Sequence, residues 1–185
     1  GSNETIGHSL GKIPQWIIVK ARDNSSGSWI VYHHKMGTNP EDLRMFLDSN
    51  DASGTSTANF NSTAPTSTVF SVGNTSATNG GSNTYVAYVF AEIEGYSKFG
   101  SYTGNSSSDG TFVFTGFRPA WIMFKVTNTT GNWNIYDSVR DPDNIVAQKL
   151  RADGSNAEVT SSDDFDILSN GFKLRDSGAG LNSSS

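Results

Sequence analysis

The sequence has no cysteine among its 185 residues, which excludes a disulfide framework, a thiolate nucleophile and any zinc site built on sulfur. Charge is also scarce, at 17% of residues. The thirteen Lys and Arg are scattered along a chain of net charge −5, so no basic stripe is present to neutralise phosphates and nucleic acid is not an expected partner. No apolar run approaches the ~20 residues of a membrane-spanning helix, and membrane insertion is not expected. A glycine-rich phosphate loop of the usual form is missing. What fills the chain instead is Ser, Thr, Asn and Gly, with 11 Phe, 6 Tyr and 4 Trp. Small polar residues compete for backbone hydrogen bonds and favour turns over helices, while the aromatic rings supply a core.

Short β-branched and aromatic runs recur between clusters of turn residues. They are Trp16–Lys20, Trp29–Tyr32, Thr68–Val72, Tyr85–Glu92, Thr111–Thr115, Trp121–Lys125 and Trp133–Tyr136. Many short strands with turn-rich spacers predict an all-β, antiparallel β-sandwich or jelly roll. One segment, Asn39–Leu47, is read either as a short helix capped by Asn39 with Pro40 at its first position, or as an extended strand.

An internal repeat organises the chain. Gly11-Lys-Ile-Pro-Gln-Trp-Ile-Ile-Val-Lys20 matches Gly116-Phe-Arg-Pro-Ala-Trp-Ile-Met-Phe-Lys125 in frame, with Gly, Pro, Trp, Ile and Lys at the same spacing. After a one-residue deletion, Ser25-Ser-Gly-Ser-Trp-Ile-Val-Tyr32 matches Thr129-Thr-Gly-Asn-Trp-Asn-Ile-Tyr136. The expected division is therefore residues 3–105 as copy one and 106–185 as copy two, folded together as one sandwich. Gly1-Ser2 reads as a cloning remnant. Copy two lacks a counterpart of the run Tyr85–Glu92: either the sequence is cut inside a repeat array, leaving a sandwich with an open edge, or the run of copy one serves one sandwich built from both copies, which is the expected arrangement.

Tyr85-Val-Ala-Tyr-Val-Phe-Ala-Glu92, Phe99-Gly-Ser-Tyr-Thr-Gly-Asn105, Gly116–Lys125 and Ser169-Asn-Gly-Phe-Lys-Leu174 together resemble a repeated domain of marine and cyanobacterial phage proteins. That domain is found in tail-fibre and other virion proteins and is similar to concanavalin-like sandwiches. The resemblance implies a virion or extracellular location and a non-catalytic adhesion module. Its expected partners are a host-surface glycan or protein, other virion proteins and further copies of itself. A purely structural virion domain is the alternative.

The candidate ligand platform is Trp29, Tyr32, Trp133 and Tyr136, because a flat ring stacks on the apolar face of a sugar while polar neighbours hold its hydroxyls. The same alternation also suits core plugs. His33 beside the first hairpin and Asp137 beside the second are the candidate polar ligand-binding residues. Because neighbours on a strand face opposite ways, His33 and His34 do not converge on one metal and read as a surface pair. Arg140 offers a fork for carboxylate or sulfate beside Asp137 and Asp141. Asp141-Pro-Asp-Asn144 has oxygens of the kind calcium favours but not the spacing of a calcium loop, so no cofactor is expected. Asp163-Asp-Phe-Asp166 reads as a solvated turn, and Trp16 and Trp121 as core. Glu92 and Glu94, two apart, would share one face of a strand, as a glycosidase pair requires, but surface acids are the plainer reading.

Overall fold

The computed structural model describes residues 2–24, 27–160, 162–178 and 180–184. Ser25 and Ser26, which open the first matched hairpin, lie outside the described residues, as do Gly1 of the cloning-remnant dipeptide and Ala179 of the last glycine loop. The chain is all-β, and every strand pairing is antiparallel, in keeping with a β-sandwich. It divides into two compact units, Gly1–Glu92 and Ile93–Ser185.

The first unit contains β1 (Glu4–Gly7), β2 (Trp16–Ala21), β3 (Ile30–His33), β4 (Leu43–Phe46), β5 (Gly54–Thr55), β6 (Val69–Val72) and β7 (Tyr85–Phe90). Five of them form a sheet in the order β5-β4-β3-β2-β7, while β1 and β6 form a two-stranded sheet. In the segment 39–47 both readings of the sequence find a place. Pro40–Asp42 make one 3-10 turn with Pro at its start, and the chain then extends as β4. Ile17, Val19, Ile30 and Tyr32 alternate onto one face of the large sheet and are almost fully buried. Phe60 meets Tyr32 edge-on at 5.5 Å, and β6 adds Phe70 and Val72 to the buried set.

The second unit contains β8 (Phe112–Phe114), β9 (Trp121–Phe124), β10 (Asn134–Asp137), β11 (Leu150–Arg151), β12 (Phe165–Leu168) and β13 (Gly171–Leu174). They form two three-stranded sheets, β11-β10-β9 and β12-β13-β8. Between these sheets lies a cluster of Ile122, Phe124, Tyr136, Val146, Phe165, Ile167, Phe172, Leu174 and Leu181. Its rings meet edge-to-face, Phe124 with Phe172 at 5.2 Å and Tyr136 with Phe165 at 4.8 Å. Each such pair is worth about 0.5–1.5 kcal/mol beyond the area it buries. Residues 93–105 belong with this unit, where the Tyr102 hydroxyl donates to the Leu181 carbonyl at 2.7 Å.

Two glycines are fixed by close backbone approach. A Cβ on Gly73 would stand 1.8 Å from the Ala58 carbonyl oxygen, and one on Gly171 would stand 2.1 Å from that of Val113. No larger residue fits at either place without moving a strand.

Candidate functional site

The hairpin tryptophans and tyrosines do not form one surface. Tyr32, Trp133 and Tyr136 are 3%, 4% and 0% exposed. A ring with no open face cannot stack on a sugar, so these three are core residues, contrary to the expectation of a ligand platform there. Burial, with Glu41 adding to it, pushes the Tyr32 phenol up to about 12. Burial also raises the Tyr136 phenol, and the neighbouring negative Asp164 raises it further.

Trp29 is different. It is half-buried and stacks on Tyr88 of β7 at 6.3 Å with 19° between the planes. Trp16 stacks in the same manner on Phe90, at 4.9 Å and 29°. Trp16 lies directly across from Phe90 on one side and from His33 on the other, so the three side chains share a face of the five-stranded sheet. Tyr88 and Phe90 are 45% and 38% exposed. The face therefore carries two stacked aromatic pairs with their β7 members open to solvent. Composition alone concealed this, because the run Tyr85–Glu92 reads as an ordinary buried strand.

His33 stands at the end of β3 on that face. Its Nδ1 accepts the Lys35 amide N–H at 3.1 Å, a role open only to an unprotonated nitrogen. Burial, then the nearby His34 and Lys35, pull its pKa down to about 4 against the opposing pull of Glu92. It is a turn cap rather than a member of a solvated pair. Asp137 does the same work at the end of β10, with Oδ1 accepting the amides of Val139 at 3.1 Å and Arg140 at 2.8 Å. The amide bond from Arg140 is the chief reason that the Asp137 carboxyl is held below the ordinary carboxylate range.

Arg140 is committed within its own unit. Its Nε donates to Asp137 Oδ2 at 2.6 Å, one Nη donates to Glu158, and the other reaches the Ile135 carbonyl at 3.3 Å. Asp141 Oδ2 accepts the amides of Ala147 and Gln148. Asn144 brackets Ile167, accepting its N–H at 3.0 Å and donating to its carbonyl at 3.1 Å. The Asp141–Asn144 segment thus spends its oxygens on holding a loop. Among the described residues, no group of three or more His, Cys, Asp or Glu is placed to hold a metal ion.

Asp163-Asp-Phe-Asp166 is not a solvated turn as a whole. Asp164 is 1% exposed, with Oδ2 taking hydrogen bonds from the Tyr136 hydroxyl at 2.6 Å, Lys149 Nζ at 2.9 Å and Ser162 Oγ at 2.7 Å. Asp166 lies on β12 and is paired with Arg175 at 2.6 Å. Asp164 just precedes β12 and Asp166 lies on it between the core residues Phe165 and Ile167, and each carboxylate finds a cation, the condition under which a buried charge is tolerated. Trp121 departs from expectation in the opposite direction: it is 51% exposed. Glu92 and Glu94 lie beyond the end of β7 at Phe90, so no strand aligns them on one face.

The matched frame extends into these polar details. The Trp29 amide donates to Asp48 and the Trp133 amide to Asp153, while the Trp29 and Trp133 carbonyls accept from Leu47 and Ala152. Asn79 Nδ2 donates to the Ser2 carbonyl, and Asn182 Nδ2 to that of Ser107. Asn59-Phe60 in one unit occupies the place of Asp164-Phe165 in the other. The 105-residue frame carried beyond the hairpins relates Ser2 to Ser107, Asp48 to Asp153 and Asn59 to Asp164, whereas Asn79 and Asn182 are 103 apart and need a further two-residue shift.

A family model described as "Domain of unknown function (DUF7483)" matches residues 1–185. The chain belongs to the DUF7483 family. No curated protein matches it, and no solved structure does. Membership in DUF7483 assigns no chemistry to the aromatic face or to the Asp164 cluster, and their roles rest on geometry.

Proposed function

We propose that the chain is a non-catalytic adhesion module of a virion appendage such as a tail fibre, and that it binds host-surface polysaccharide through the aromatic face of its first unit. The observation that carries this reading is the pair of stacks Trp29–Tyr88 and Trp16–Phe90, with Tyr88 and Phe90 open to solvent on one sheet face. Flat, prepositioned rings stack on the apolar faces of sugars at small entropic cost, and many weak copies along a fibre multiply the effect. A non-catalytic role is supported by the placement of Glu92 and Glu94 beyond the end of β7, where that strand does not align them as a glycosidase pair. The virion setting rests on the sequence resemblance.

The test is binding of the labelled chain to a panel of bacterial surface polysaccharides, beside Tyr88→Ala and Trp29→Ala. Saturable binding that falls about tenfold or more in both variants is expected, a loss of roughly 1.4 kcal/mol. Binding unchanged by both substitutions would remove the site from this face. A chain that binds no polysaccharide would return the module to the purely structural alternative.

A further inference from the structure

The two units treat matched strands differently. In the first, β2 has a neighbour on each side, β3 and β7. In the second, β9 occupies the frame of β2 and pairs with β10 on one side, and no described strand pairs with it on the other. The Ser138 amide donates to the Ala120 carbonyl at 2.9 Å, which sets the phase of the β9–β10 ladder. Alternation then turns the N–H and C=O groups of Trp121 and Met123 away from β10. Neither residue's backbone has a hydrogen-bond partner among the described residues. Their matched positions in the first unit are Trp16 and Ile18, which lie opposite Phe90 and Tyr88 of β7.

Proteins usually guard such an edge with charge, proline or a bulge. The second unit guards β12 in another way, since the Asn144 amide occupies both the N–H and the C=O of Ile167. Trp121-Ile-Met-Phe124 carries no charge, no proline and no such clamp, and it displays a half-exposed indole. In the first unit the equivalent indole is covered by Phe90.

We propose that the outer edge of β9 accepts an extended peptide strand, antiparallel and of the β7 type, with aromatic residues at alternate positions. In the register of β7 on β2, a Phe on the incoming strand would lie opposite Trp121 and stack on its indole. A Tyr two residues earlier would lie opposite Met123. The occupant is defined by the molecule's own solution at β2: backbone hydrogen bonds supply adhesion, and the alternate aromatics supply register. The entry of β7 onto the sheet is held by Asp23, whose carboxylate accepts both the amide and the hydroxyl of Thr84 at 3.0 Å. Asn128 stands at the matched place in the second unit and offers an amide oxygen for the same purpose.

The probe is a labelled synthetic peptide, Thr-Tyr-Val-Ala-Tyr-Val-Phe-Ala-Glu, with the sequence of residues 84–92, titrated into the full chain by fluorescence anisotropy. Saturable binding is expected, with a change in Trp121 fluorescence that is lost in Trp121→Phe. Only one edge of the peptide faces β9. N-methylation at the positions of Val86 and Tyr88 should therefore weaken binding about tenfold or more, whereas N-methylation at Ala87 and Val89 should leave it within about twofold. Met123→Pro removes the outward donor of β9 without taking a bond from β10 and should also abolish binding. If that variant fails to fold, the two methylated peptides decide alone. Absence of binding would overturn the proposal, and so would equal binding by both methylated peptides or by a scrambled sequence. Polysaccharide binding by the first unit stands or falls separately.

Discussion

The two units solve one problem with different chemistry at two positions. Where the first has the buried Asn59 just before the Phe of its Tyr–Phe pair, the second has Asp164, and with it a buried charge paired with Lys149. Where the first pairs β7 with β2, the second has no described strand on the outer side of β9, and Trp121 is half exposed. The shared frame of glycine, proline, tryptophan and tyrosine tolerates both changes, because it is held by backbone pairing and by the Tyr–Phe contact. The comparison teaches that polar satisfaction and edge coverage vary independently of the core.

The largest effect should come where the units agree. Phe165→Ala should cost about 4 kcal/mol in the second unit, and Phe60→Ala a similar amount in the first, by denaturant unfolding. Markedly unequal losses would show that the Tyr–Phe contact is not the shared anchor. Next in size is the difference in charge. Lys149→Met should cost about 3 kcal/mol by stranding Asp164, whereas Arg44→Met, at the matched position, should cost less than about 1 kcal/mol. Asp164→Asn added to Lys149→Met should recover much of the loss. If it recovers nothing, the lysine acts by packing.

A smaller contrast concerns the caps on the tryptophan amides. Asp153→Ala should cost about 1.5 kcal/mol, and the more exposed Asp48→Ala about 0.5 kcal/mol, by thermal unfolding. The smallest contrast is one of acid response. His33 is held neutral by the fold, so its contribution is complete above the unfolded value of about 6.5 and is lost as pH falls from there towards about 4. Asp137 is held ionised, so its contribution persists above the ordinary carboxylate range and is lost as pH falls through its lower folded value. Melting temperatures from pH 7 to 3 should therefore show the first unit weakening earlier, and His33→Gln should flatten that part of the profile.

Strands and core were largely legible in the sequence, because β-branched and aromatic runs between turn residues leave few alternatives. Trp16–Ala21 and Trp121–Phe124 form strands within a residue or two of the expected limits. Trp121 misled because a strand residue is buried only if something lies over it, and its neighbour on that side is absent from the described strands. Asp164 misled because Asp-Asp-Phe-Asp looks like a turn until a lysine fifteen residues earlier is seen beside it. The aromatic face was only half visible. Trp29 stood out, but its partner Tyr88 lies 59 positions along the chain and is brought near only by the pairing of β7 with β2.

In the second unit the loop around Tyr102–Ser107 and the segment Leu181–Ser184 are stitched side by side. Tyr102 bonds to Leu181, Asn105 to Asn182 and Ser106 to Ser184. Tension applied at Gly104 and Asn182 would load this seam. Because Leu181 belongs to the core cluster and the Tyr102 ring packs edge-on against Phe124 and Phe172, a pull on this seam would be transmitted straight into the aromatic core.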